Sequence, residues 1–317
     1  MVATVAVIGM GLLGLALLTL AADQLVRGAG RLAGMLRIAP VVVGVVVIGL
    51  GTSAPEFLVS GAASARGNSG IAVGNLVGSN IVNLTLVLGV AALVAPVVVR
   101  SSVLVREAPV AVLAMVVFAG FALAGLGMLA GVVLAGLGVA ATVLLVRLAR
   151  VRPGDPLPGE VAQFLQPSPS YGWVREILRA LLGLAGTLAG AQIVVSQAAT
   201  LAHRWGMSDA VIGFTVVALG TSLPELVTAI QAQRRGESDL LIGNLLGSNL
   251  FNSLIGGSIV GLSAASSRTS GVGYPALAAM VGVGVLAWLL LFRGHRVNRI
   301  EGAILGAAYL ATLPLLG

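Results

Sequence analysis

Two glutamates carry most of the chemistry that can be read from this chain. Eleven acidic residues are present, and Asp23, Glu107, Asp155, Glu160, Glu176, Asp209, Glu237, Asp239 and Glu301 fall at the ends of apolar stretches or between them. Only Glu56 and Glu225 lie well inside apolar runs. An ionised carboxylate in hydrocarbon is expensive, so it faces a cavity or a partner. No arginine lies at comparable depth in these runs, which favours cation ligation over a structural ion pair. Each glutamate also follows a proline, Pro55 and Pro224. Proline has no N–H, so the carbonyls of Gly51 and Gly220 lose their helical donors. The two kinks are expected to turn backbone oxygens, those of Thr52 and Thr221 among them, toward the glutamates. A simple bend would have its freed carbonyls met by neighbours. Two bends at matched positions, each one residue before a buried carboxylate, fit ion coordination better.

Helical spacing adds further oxygens. Ser53 and Glu56 are three apart, while Ser79 and Asn83, like Ser248 and Asn252, are four apart. Each pair is therefore expected to share a face. Carboxylates, carbonyls, hydroxyls and amide oxygens are the ligands of calcium, which takes roughly six to eight oxygens. Sodium accepts a similar set with less charge. These segments hold no histidine or thiolate, which argues against zinc and copper. Enzyme chemistry finds little support. The chain has no cysteine, no lysine and no HExxH, and His203 and His295 sit at span ends beside arginines. No cofactor is expected beyond the bound ions.

The elements that position these residues are transmembrane helices. Hydrophobic residues make up 58% of the chain and charged residues 9%, with a mean hydropathy of +1.06. Soluble domains carry about 25% charged residues, so lipid must cover much of this surface. Apolar runs of about 20 residues span a bilayer as helices, which satisfy their own backbone. Ten spans are expected, near 3–24, 40–64, 70–95, 107–125, 128–147, 176–202, 210–233, 239–262, 274–292 and 301–316. The first is no signal peptide on this reading, because its first arginine, Arg27, follows the apolar run. With loops alternating sides, 15 of the 18 arginines fall on one side and only Arg66, Arg204 and Arg268 on the other. That bias marks the arginine-rich side as cytoplasmic and both termini as extracytoplasmic. The net charge of +7 is thus a topology signal rather than a nucleic-acid surface.

A proline-rich linker at 150–172 separates two five-span halves, 1–149 and 173–317. Residues 49–89 and 218–258 align without a gap at an offset of 169. Gly51-Thr52-Ser53, Pro55-Glu56, Gly67, Gly74-Asn75, Gly78-Ser79-Asn80 and Asn83 meet identical residues at 220–222, 224–225, 236, 243–244, 247–249 and 252. An odd number of spans per half makes the second repeat enter from the opposite face. Inverted repeats of this kind are a mark of secondary transporters, which bind substrate between the repeats. Gly74, Gly78, Gly243 and Gly247 are read as close-packing positions. Gly78-Ser79-Asn80 is no phosphate loop, since there is no lysine to complete one.

GTSAPE with GSNIVN, and GTSLPE with GSNLFN, closely resemble the paired α-repeats of the calcium/cation antiporter superfamily, nearest its prokaryotic sodium/calcium exchangers. The motifs cover about a quarter of the chain. The resemblance implies that Glu56 and Glu225 share calcium and help bind sodium. It also implies backbone ligands at Gly49, Thr52, Ala218 and Thr221, hydroxyl ligands at Ser53, Ser79, Ser222 and Ser248, and polar ligands at Asn83 and Asn252. Many relatives carry an aspartate at one of the last two positions, whereas this chain has asparagine at both. Two carboxylates balance one calcium, two sodium ions or two protons, and any third sodium must bind neutral oxygens. The expectation is an all-α antiporter of a prokaryotic cytoplasmic membrane, exchanging Ca2+ for Na+ by alternating access. Calcium/proton exchange on the same fold stays open, and a passive cation channel is the weaker third reading.

Overall fold

The computed structural model describes residues 2–36, 40–99, 107–148, 172–206, 218–264 and 272–315. The expected linker lies outside these residues apart from Gly172. So does the beginning of the span expected at 210–233.

Almost all described residues are helical. The first helix, α1 (Val2–Leu36), is followed by α2, a continuous run through Pro40–Val43, Gly44–Gly49 and Leu50–Thr52, whose middle part is π-helical. Next come α3 (Ala54–Ala65), α4 (Ser69–Val94), α5 (Glu107–Ala124) and α6 (Met128–Leu148). The second part holds α7 (Trp173–Arg204), α8 (Ala218–Thr221), α9 (Leu223–Arg234), α10 (Ser238–Ser263), α11 (Tyr274–Gly294) and α12 (Arg299–Thr312). Among the described residues, α1, α4, α5, α6, α7, α10 and α11 are each long and apolar enough to cross a membrane. The bent pair α2–α3 makes an eighth. The expected span at 301–316 corresponds to α12, which has 14 residues.

α1 and α7, at 35 and 32 residues, outrun the expected boundaries of 3–24 and 176–202. Charges seemed to end these helices, yet the helices carry them. Asp23, Arg27 and Arg31 lie within α1, and Glu176 lies in the first turn of α7. Glu176 is wholly buried and held by Arg31 of α1 at 3.1 Å and Arg179 of α7 at 2.9 Å. Burial is therefore not peculiar to Glu56 and Glu225; Glu176 differ from them in having arginine partners. The two long helices pack through small residues. A Cβ on Gly28 would lie 2.8 Å from Ala180 N, and one on Gly183 would lie 2.5 Å from Leu25 N. Backbones this close make up in van der Waals contact what lipid removes from the hydrophobic driving force.

α2 lies against α10 in the same manner. A Cβ on Gly243 would stand 2.1 Å from Val41 O, and one on Gly247 would stand 2.6 Å from Val45 Cα. These two glycines are packing positions, as expected. Among the described residues, a Cβ on Gly74 would meet only Val272 Cγ2, at 4.0 Å, and one on Gly78 nothing within 4 Å, so close packing is not seen there.

Matching residues build matching local structure. α3 leaves α2 at 44°, breaking at Ser53 just before Pro55. α9 likewise follows α8 across Ser222, just before Pro224. Both α3 and α9 then end in the same cap, with Gly67 at φ +80° and Gly236 at φ +73°. Asn68 N donates to Ala63 O and Glu237 N to Ala232 O, each at 2.9 Å. Such a cap needs a left-handed residue, which explains glycine at both positions. α4 and α10 each continue through a π-helical stretch, Asn83–Val87 and Asn252–Gly256. A two-residue antiparallel pairing of β1 (Val97–Val98) with β2 (Arg296–Val297) ties the end of α4 to the start of α12. Asn298 and Glu301 form a reciprocal cap at the start of α12.

Candidate cation site

The helix breaks bring the two carboxylates inward. Glu56 sits in the first turn of α3 and Glu225 in the first turn of α9, and both are wholly buried. Each accepts hydrogen bonds from two serines through one oxygen. Glu56 Oε1 accepts from Ser79 Oγ at 3.4 Å and from Ser222 Oγ at 3.3 Å. Glu225 Oε1 accepts from Ser248 Oγ and Ser53 Oγ, both at 3.3 Å. Shifting residue numbers by 169 turns one set into the other. Every carboxylate thus meets one serine of its own repeat and one serine of the other.

Spacing along the chain had paired Ser53 with Glu56, and this is corrected. Ser53 stands at the 44° bend between α2 and α3, although its backbone still bonds Gly49 O and Phe57 N in helical register. The hydroxyl crosses to Glu225 instead, and Ser222 makes the reciprocal crossing to Glu56.

The remaining expected residues lie on the helices that carry or border these four serines. Gly49 O accepts from Ser248 Oγ at 3.3 Å, which places that carbonyl beside Glu225. Thr52 is buried, and its hydroxyl is shared between Ile48 O at 3.1 Å and Asn244 Oδ1 at 3.2 Å. Ala218 and Thr221 bound α8, directly before Ser222. Asn83 and Asn252 open the π-helical stretches of α4 and α10, both wholly buried. They are not equivalent: Asn83 Nδ2 donates to Asn249 Oδ1 at 3.1 Å, while neither side-chain polar atom of Asn252 has a partner among the described residues.

Several contributors escaped the sequence reading. Asn249 also donates to Asn80 O at 3.0 Å, and Asn80 donates to Ser253 Oγ at 3.0 Å. These bonds tie α4 to α10 across the repeats. Asn75 donates to Glu56 O at 3.3 Å and Ser60 Oγ at 3.0 Å. Asn75, Asn80, Asn244 and Asn249 all stand at identical repeat positions, and that identity was the available signal. The π-helical stretches had none. Such stretches are frequent at functional sites because they redirect backbone groups out of the ordinary helical ladder.

The arrangement is a nest of hard oxygens with spare acceptor capacity. Glu56 Oε2, Glu225 Oε2, Asn83 Oδ1 and Asn252 Oδ1 have no donor among the described residues. No arginine there pairs with either glutamate. Buried polar atoms are normally satisfied, and these four acceptors keep lone pairs that no described donor uses. Only two of the groups are carboxylates, and no cluster of three or more acidic, histidine or cysteine side chains occurs among the described residues. Neutral oxygens must therefore supply most of any coordination shell. A serine hydroxyl that donates to a carboxylate can rotate and offer its lone pairs to a bound ion.

An apolar helical bundle around such a site defines an integral membrane cation exchanger, and comparison with known proteins agrees. A family profile described as sodium/calcium exchanger protein matches residues 6–148 and 176–316. The chain belongs to that family. It is 34% identical to the sodium/calcium exchanger MaX1 of Methanosarcina acetivorans, covering 96% of this chain and 97% of the relative. It is 37% identical to the inner membrane protein YrbG of Escherichia coli strain K12, covering 80% and 78%. A solved structure of the sodium-calcium exchanger NCX_Mj, soaked with sodium and calcium, superposes with a TM-score of 0.83 at 31% identity, covering 98% of this chain and 99% of that one.

Proposed function

We propose that this antiporter exchanges Ca2+ for Na+ by alternating access, with Glu56 and Glu225 as the two charged ligands. Two wholly buried carboxylates, cross-bonded by serines of both repeats and unpaired with arginine, carry this reading. The remaining ligands are the hydroxyls of Ser53, Ser79, Ser222 and Ser248, the amide oxygens of Asn83 and Asn252, and the backbone oxygens of Gly49, Thr52, Ala218 and Thr221. The halves 1–149 and 173–317 are read as inverted five-helix repeats in a ten-helix bundle. The twofold match to one family profile and the reciprocal serine bonds support this. The fifteen-arginine side faces the cytoplasm on the same reading.

Bound cations neutralise the glutamates, and only the neutralised site changes access. An empty site leaves two carboxylates in low dielectric without compensation, which opposes crossing and enforces exchange. If three sodium ions pass per calcium, one net charge crosses, worth about 2.3 kcal/mol per 100 mV. Radiocalcium uptake into proteoliposomes under an outward sodium gradient or an outward proton gradient tests the coupling. Sodium-dependent uptake is expected. Uptake driven by protons alone would move the protein to calcium/proton exchange, and uptake needing no counter-ion would make it a passive pathway.

A further inference from the structure

One buried hydroxyl outside the proposed ligand set is set apart by the bond it does not make. Thr228 lies on α9, 1% exposed, and its Oγ1 has no partner among the described residues. Helical threonines elsewhere in the chain behave otherwise. Thr19, Thr52, Thr85, Thr142, Thr187 and Thr200 each donate to the carbonyl four residues back, the local bond by which a helix absorbs a hydroxyl. Thr228 forgoes that bond with Pro224 O, although its burial keeps water away. An unpaired buried hydroxyl is costly. Valine fills the same volume without that cost, and the first repeat has valine at the matching position, Val59.

Thr228 follows Glu225 by three residues, on the same face of α9 and about 4.5 Å further along its axis. Gln231 and Arg235 continue that face, three and seven residues after Thr228. Gln231 is buried as well, and Arg235 donates to Asp23 of α1 at 2.7 Å. A polar face thus runs from the carboxylate to the end of α9, where it meets α1. The matching face of α3 reads Glu56, Val59, Ala62 and Arg66. Between carboxylate and arginine, one repeat places a hydroxyl and an amide where the other places only alkyl groups. Such oxygens suit a hard cation, which needs replacements for its hydration shell as it moves through a protein.

We propose that Thr228 Oγ1 is an oxygen on the ions' route, receiving the cation between Glu225 and the end of α9 where Arg235 meets α1, with Gln231 next along the same face. Val59 offers no such oxygen on α3, so the two halves load and release the ion unequally. This inference rests on the exchange reading above.

Initial rates of sodium-driven radiocalcium uptake by the wild type, Thr228→Val and Thr228→Ser, each beside a thermal melt and equilibrium calcium binding, test it. Thr228→Val keeps the shape and removes the oxygen. Its uptake at limiting calcium is expected to fall about ten-fold, as for a lost bond to a charged group. Its melt should stay level or rise, because an unpaired buried hydroxyl has gone, and its equilibrium calcium affinity should be unchanged. Thr228→Ser keeps the oxygen and should transport near the wild-type rate. Wild-type uptake in Thr228→Val overturns the proposal. So does slow uptake in both variants, which would make the methyl the important group. A lowered melt in Thr228→Val would make the hydroxyl structural, and a parallel fall in affinity would move it into the binding site; either overturns the route. Absence of sodium-driven uptake by the wild type would instead overturn the exchange reading, and the same variants are then compared under an outward proton gradient.

Discussion

Gly247→Ala probes how tightly the close approach of α2 and α10 sets the site. The added Cβ would stand 2.6 Å from Val45 Cα and 2.6 Å from Val45 O, where ordinary contact begins at 3.4 Å. The two backbones must separate by the difference, 3.4 − 2.6 = 0.8 Å, at this point. Gly49 lies one turn further along α2, and its carbonyl accepts from Ser248, the residue next to Gly247. Calcium–oxygen distances span only about 2.3–2.6 Å, so a displacement of this size takes the Gly49 carbonyl out of coordinating range. Overpacking of this kind costs about 1–3 kcal/mol of stability. Displacing groups that orient ligands lowers metal affinity about 10–100-fold. Radiocalcium binding in detergent, beside a thermal melt, measures both quantities. Gly136→Ala is the control, since a Cβ there meets nothing within 4 Å. Wild-type calcium affinity in Gly247→Ala, with the control unchanged, would refute the reasoning.

Two further outcomes follow from the same geometry. Ser53→Ala and Ser222→Ala each remove one cross-repeat hydroxyl from a carboxylate, so calcium affinity should fall by similar factors in both, about ten-fold for a lost bond to a charged group. A large fall in one and none in the other, by the same binding assay, would break the equivalence of the two halves. Asn252→Asp places a third carboxylate where an amide now has no partner among the described residues. It demands one more positive charge for neutrality in a low-dielectric site, so calcium uptake should depend more steeply on internal sodium; an unchanged sodium dependence would remove Asn252 from the ligand set.

The paired glutamates were legible because a charge in an apolar run is conspicuous, and the duplication made the observation twice over. Pro55 and Pro224 likewise announced the breaks that aim Glu56 and Glu225 inward, since a missing N–H is a local property. What the chain could not disclose were relations between segments distant in sequence. Ser53 bonds Glu225, 172 residues away, and no local spacing encodes that crossing. The lengths of α1 and α7 were hidden for a related reason. Arg31 and Glu176 look like helix ends until each is seen to neutralise the other across 145 residues. The π-helical stretches at Asn83 and Asn252 were also silent, because the sequence around them fits an ordinary helix equally well.

Glu56→Gln and Glu225→Gln test the central claim most directly, through sodium-driven radiocalcium uptake into proteoliposomes. Each variant keeps the size of the side chain and removes one of two charges, so the account predicts that uptake is lost in both while the folded protein remains. Uptake at the wild-type level in either variant would contradict it.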